Sequence, residues 1–184
     1  MKKIKYILGT LLSIVMLWAV YFLVYANFHK VDDDLYRSAQ LRPFNMGYFI
    51  EKHKIKSIIN LRGGYAKGKT PDAWYVDEVA FSKEHNLTHI DYGIGDRMPI
   101  TLKQMEEMVE LMKNAPKPLL IHCKAGADRT SLASALYLYA IKKESDASRA
   151  ISIVYGHFPW LGSKTYFMDE SFENYKKAHP LKEN

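Results

Sequence analysis

Two hydrophobic periods run along this chain, and one long stretch obeys neither. In "IKYILGTLLSIVMLWAVYFLVYANF", residues 4–28, apolar side chains follow one another without a polar face, and Ile7 to Ala26 carries no charge. A run of that length predicts one N-terminal apolar helix able to cross a hydrocarbon layer. After it the periods shorten. "KIKSIINL" alternates and ends in β-branched residues, which predicts a strand from about Ile55 to Leu61. "LTHIDYG" reads as a second central strand, "PKPLLIH" as a short, wholly apolar one ending at His122, and "LYRSAQLRP" as holding a brief one. Helical patterns separate them. "PFNMGYFIEKH" is opened by Pro43, "DAWYVDEVAFSKEH" by Pro71 or Asp72, and "LKQMEEMVELMKN" follows the N-cap residue Thr101. In the last of these Leu102, Met105, Val109 and Met112 recur at three- and four-residue spacing, the mark of a helix that covers a sheet. "TSLASALYLYAIKK", "DASRAISIVYG" with Asp146 at its start, and "DESFENYKKAH" read as further helices. Strands alternating with helices predict an α/β fold, a mostly parallel central sheet flanked by helices. In such sheets ligands bind beyond the carboxyl ends of the strands.

The length of 184 residues suits one compact domain after the apolar run. We therefore divide the chain into residues 1–30, a basic N-region with a transmembrane anchor or signal segment, and residues 31–184, a single domain. The formal charge of +6 is uneven: Lys2, Lys3, Lys5 and Lys30 account for four of the 26 basic residues, and residues 1–30 hold no acid. The rest is nearly balanced, which excludes a nucleic-acid footprint. Lysines ahead of the run favour a cytoplasmic N-terminus, a membrane anchor through residues 7–26 and an extracytoplasmic domain. Tyr21, Phe22, Tyr25 and Phe28 suit the membrane boundary. The alternative is a cleaved signal ending at "VYA", Val24 to Ala26, and a secreted or periplasmic domain. A lone cysteine excludes an intrachain disulfide, and the seven scattered histidines predict no metal site.

That cysteine, Cys123, stands in "LLIHCKAGADRTSLAS". A buried strand ends at His122, and the chain then turns through Lys124, Ala125, Gly126, Ala127 and Asp128 into a helix near Arg129. Amides of the turn and of the first helical residues have no intrahelical partner and can converge on an anion, with the helix dipole behind them. Gly126 permits a backbone angle that a side chain resists. Arg129 offers a planar fork for two phosphoryl oxygens. The same field favours a thiolate at Cys123, poised for in-line attack on phosphorus and a cysteinyl-phosphate intermediate.

"HCKAGADRT" fits the pattern His-Cys-five residues-Arg-Ser/Thr and resembles the cysteine-dependent protein tyrosine and dual-specificity phosphatases. "LYRSAQL" and "IINLRGG" look like flanking motifs of the same family, and the chain from about Leu35 onward resembles a bacterial dual-specificity-like phosphatase. The resemblance implies Cys123 as nucleophile, Arg129 as phosphate ligand and the loop 124–128 as a source of backbone donors. It implies Thr130 as the hydroxyl that bonds the sulfur and His122 as a brace for the loop. It also implies a general acid on an upstream loop. Asp96, in the glycine-bearing loop between Gly93, Gly95 and Thr101, is preferred over Asp91 at a strand end. Arg62 is a second anion contact or a brace, and Arg37 a structural residue. Lys67, Lys69 and Arg97 are weaker substrate contacts. Ser131 replaces a glycine common in relatives, a tolerated change.

Ala127 stands where phosphoinositide phosphatases of this superfamily typically carry a second lysine. With Lys124 alone in the loop, the resemblance favours a phosphorylated protein, as tyrosine or dual-specificity substrate, or a small phosphorylated molecule. An inositol phosphate, pyrophosphate or phosphoinositide is the alternative. A non-catalytic membrane-bound reader of phosphorylated ligands is a further one, disfavoured because cysteine, arginine and acid are all present. The chemistry requires no cofactor and no metal.

Overall fold

The computed structural model describes residues 2–65, 68–160 and 162–181. Helix α1 (Lys2–Val24) is followed by β1 (His29–Lys30), β2 (Leu35–Ser38), α2 (Pro43–Lys52), β3 (Ser57–Asn60) and α3 (Ala73–Glu84). Then come β4 (Thr88–Asp91), α4 (Leu102–Asn114), β5 (Leu119–His122), α5 (Asp128–Leu136) and, near the end, α6 (Phe167–Ala178). The sheet order is β1-β2-β5-β3-β4, parallel except for β1.

Alternation along the strands splits the core in two. Leu35, Ile59, Leu119 and Ile121 pack with Met105, Met108 and Met112 of α4, Leu132 and Leu136 of α5, and Phe172 of α6. Tyr36, Ile58 and Leu120 meet Met46, Phe49 and Ile50 of α2 on the other face. Burial of each large apolar side chain is worth roughly 1.5–3 kcal/mol. Thr101 caps α4 as expected, its Oγ1 accepting from Gln104 N at 3.2 Å.

Three expectations are corrected. β4 is an edge strand rather than a central one, and its residues are half-exposed or exposed. "DASRAISIVYG" forms two short 3-10 turns, Ala147–Ala150 and Ile153–Tyr155, because Ser152 breaks the run in extended conformation and Gly156 ends it left-handed. The third concerns the membrane. Among the described residues no helix is long and apolar enough to cross one. The hydroxyls of Thr10 and Ser13 interrupt the run of α1 and turn back on the carbonyls of Tyr6 and Gly9. Its last turns are committed to the domain: Tyr21 and Phe22 are half-buried, the Tyr21 hydroxyl lies 3.1 Å from His29 Nε2, and Val24 O accepts from Asn45 Nδ2 at 2.9 Å. The anchor expected through residues 7–26 is therefore withdrawn. The extracytoplasmic placement, anchored or released after a cut, rested on that span and goes with it.

Candidate active site

β5 carries Cys123 to the carboxyl end of the sheet and leaves it 3% exposed, at the floor of the turn into α5. The turn is held from behind by its carbonyls. Lys124 O accepts from Gln40 N at 3.3 Å, and Gly126 O from Arg37 Nη2 at 2.9 Å. Asn27 Nδ2 reaches Ala125 O at 3.2 Å and Gly126 O at 3.3 Å. No N–H of residues 124–129 donates to an acceptor among the described residues. Carbonyls pinned outward leave those amides for a ligand at the helix start, a cradle suited to an oxyanion. Gly126 has φ +68°, and a Cβ there would stand 2.5 Å from Ala39 N and 2.6 Å from Ser38 C, so only glycine fits.

Arg37 holds this loop from inside the core. It is fully buried, donates also to Ala150 O at 2.9 Å and Ser131 Oγ at 2.7 Å, and stacks over Tyr155. Burial pushes its pKa down to about 10, opposed by the charges of Tyr155 and Cys123, so it stays cationic at neutral pH. Ser131, the departure from glycine noted above, thus has a partner.

Arg129 rises from the first turn of α5 and donates to Leu61 O at 3.3 Å and Ile94 O at 3.4 Å. Its Nη2 lies 4.0 Å from Asp96 Oδ2, while the Asp96 side chain is 57% exposed. Asp91 faces a different task. It accepts from Asn60 Nδ2 at 2.8 Å and from the Tyr75 hydroxyl, which this bond holds up at about 12. The two candidate acids are thereby separated: one stands free beside the arginine, the other is tied to the sheet edge. Gly93 lies against Gly63, where a Cβ would come within 3.0 Å of the Gly63 Cα, so this glycine serves close approach of two backbones.

Arg62, just beyond β3, lies flat on Trp74, with its guanidinium carbon 3.4 Å from the ring centre, and donates to Gln40 Oε1 at 3.1 Å. Arg129 reaches the carbonyl of Leu61, the residue before Arg62, and the pKa of Arg62 is lowered by burial and then by the charge of Arg129. Lys124, Lys69 and Arg97 are exposed; Lys67 lies outside the described residues. The Thr130 hydroxyl is buried without a hydrogen-bond partner among the described residues. Among those residues, no group of three or more His, Cys, Asp or Glu could hold a metal ion.

Sequence reasoning missed two groups. Glu78 of α3 is 1% exposed and accepts from His122 Nε2 at 3.1 Å. His157, 2% exposed, bridges Asp128 Oδ1 at 2.7 Å and Asp169 Oδ2 at 2.9 Å. Burial lowers its pKa, but the two carboxylates outweigh burial and raise it. Neither carried a signal in the sequence, because their partners are distant along the chain.

Residues 22–142 match the tyrosine phosphatase family. The inositol diphosphatase DSP3 of Arabidopsis thaliana is 30% identical over 110 residues, 57% of this chain and 50% of that protein. The chain thus spans about half the length of this curated relative. Among solved structures, TpbA of P. aeruginosa, also solved in complex with pTyr, has a TM-score of 0.62 at 16% identity, covering 84% of this chain and 91% of that one. The core catalytic domain of the PP-IP phosphatase SIW14 from S. cerevisiae has a TM-score of 0.58 at 21% identity, covering 85% and 96%.

Proposed function

We infer that this chain, which belongs to the tyrosine phosphatase family, is a cysteine-dependent phosphatase for a small, multiply phosphorylated substrate of the inositol phosphate or pyrophosphate class. The observation that carries the chemistry is the loop 123–129, with its carbonyls bound from behind and its amides left for an anion around the single thiol. In the first step the Cys123 thiolate attacks phosphorus, the S–P bond forms and the P–O bond to the leaving group breaks. Arg129 and the amides of residues 124–129 hold the phosphoryl oxygens as charge builds on them. Asp96, exposed and beside Arg129, gives its proton to the leaving oxygen. In the second step the Asp96 carboxylate takes a proton from water as that water attacks phosphorus and the S–P bond breaks. Thr130 turns its hydroxyl to the departing sulfur, and His122 braces the loop.

The substrate class departs from the one the motif alone favoured. A protein substrate was preferred because Lys124 is the only extra cation of the loop. Arg129 bonds the carbonyl of Leu61, the residue before Arg62, so Arg62 offers a second guanidinium for a second phosphate, and the curated relative is named as an inositol diphosphatase. Phosphotyrosine is the second reading, supported by Tyr65, Trp74 and Tyr75, which cluster beside Arg62 and offer rings for stacking. The test is a panel of inositol phosphates and pyrophosphates, phosphoinositides and phosphotyrosine, phosphoserine and phosphothreonine peptides, with Cys123→Ser as control. The proposed class predicts the highest kcat/KM on an inositol pyrophosphate or polyphosphate. Highest values on phosphotyrosine peptides would overturn it.

A further inference from the structure

A carboxylate taken out of water must be paid back by donors, and Glu78 has three. His122 Nε2 and His89 Nε2 both reach its Oε1, at 3.1 Å and 2.9 Å, and Gln40 Nε2 reaches its Oε2 at 2.5 Å. Burial pushes the carboxyl upward, but His122 and His89 together hold it well below the usual range, so it is ionised. An ionised carboxylate only accepts, and that fixes everything around it. His122 and His89 must each carry a proton on Nε2. Gln40 must turn its NH2 toward Glu78, which leaves its oxygen to face Arg62 Nη1 at 3.1 Å. One continuous polar chain, Arg62–Gln40–Glu78–His122, therefore runs from the mouth of the site to the residue before the nucleophile. Its members come from four separate parts of the sequence, and α3 is the only helix among them.

We propose that Glu78 is the positioning residue of this active site, setting the tautomer and place of His122 beside Cys123 and, through Gln40, the stance of Arg62 toward the substrate. The catalytic half of this inference rests on the phosphatase reading above; the geometric half does not. Glu78 touches no reacting atom and acts only through its donors. The isosteric change Glu78→Gln brings an NH2 into a pocket built of donors, so one of the three must turn away.

Two measurements on the full chain test the inference. The first is 15N NMR of the histidine side chains in the wild-type protein, which needs no turnover. His122 with its proton on Nε2, hydrogen-bonded, is expected; a neutral His122 protonated on Nδ1 overturns the inference, because Nε2 could then give Glu78 nothing. The second is a kinetic cycle with p-nitrophenyl phosphate. Glu78→Gln is expected to lower kcat by about ten- to a hundredfold, the cost of a slightly displaced nucleophile, with a smaller change in KM. In a His122→Asn background the same change is expected to cost no more than about twofold, since its path to the sulfur is already cut. Losses that multiply, or a fall in thermal stability with kcat unmoved, assign Glu78 a purely structural role and overturn the inference. A wild-type protein that turns over no phosphate ester, with His122 protonated on Nε2, would instead sink the phosphatase reading.

Discussion

The two loops that meet at Arg129 are built in opposite ways. The turn after β5 is over-determined: Arg37, Asn27 and Gln40 hold its carbonyls, and His157 holds Asp128. The loop after β4 is half open, with Asp96 largely in solvent and only a 4.0 Å approach to Arg129. Under the proposed chemistry, the difference follows from what each half needs. An anion cradle works only if its dipoles are fixed before the substrate arrives. A proton donor must move between protonation states and meet a leaving group, and an exposed loop allows both.

Breaking the fixed half at its reacting atom has the largest expected effect. Cys123→Ser is expected to lower turnover by on the order of 10⁴-fold or more, measured as phosphate release, with the fold unchanged by circular dichroism. Next comes the open half. Asp96→Asn is expected to reduce kcat about a hundredfold and to flatten the basic limb of the pH–rate profile. Asp91→Asn keeps that limb and lowers thermal stability, because it loosens Asn60 and Tyr75; the reverse pattern would exchange the two acids.

Gly126→Ala sharpens the contrast by stability rather than rate. A side chain forced against Ala39 and Ser38 at positive φ is expected to cost about 1–3 kcal/mol, read from denaturant unfolding, whereas alanine at Gly68, also at positive φ but with no atom within reach of a Cβ, is expected to cost less. The smallest effect concerns His157. Its folded pKa is raised, so its stabilisation is fully present below the unfolded value of about 6.5 and is lost as pH rises through the folded value. The Tm difference between wild type and His157→Gln is expected to narrow as pH rises through that value; a gap that widens toward alkaline pH would contradict the paired imidazolium.

Much of this was legible before folding. The apolar run into His122, the glycine and the spacing from Cys123 to Arg129 are local features, and a strand–turn–helix unit displays them in order. The Thr101 cap and the methionine face of α4 are local too. What the sequence concealed is what packing joins. Glu78 sits in mid-helix among exposed neighbours and reads as a solvated acid until β4 and β5 bring His89 and His122 to it. Arg37 reads as an ordinary strand residue, and only the crossing of 3-10 turns at residues 147–155 shows why it is buried. The apolar spacing of residues 4–28 gave a helix correctly but misassigned its destination, because periodicity says nothing about the docking of its last turns. Edge position was equally hidden in β4, whose short pattern could not be told from that of a central strand.

The proposed phosphoryl transfer depends on covalent chemistry at one sulfur. Rapid acid quench of the full chain during turnover of an inositol pyrophosphate, followed by peptide mass spectrometry, measures it directly. The expected result is phosphate on the peptide containing Cys123 in wild type and none in Cys123→Ser. Turnover without phosphocysteine, or turnover that survives Cys123→Ser, would contradict it.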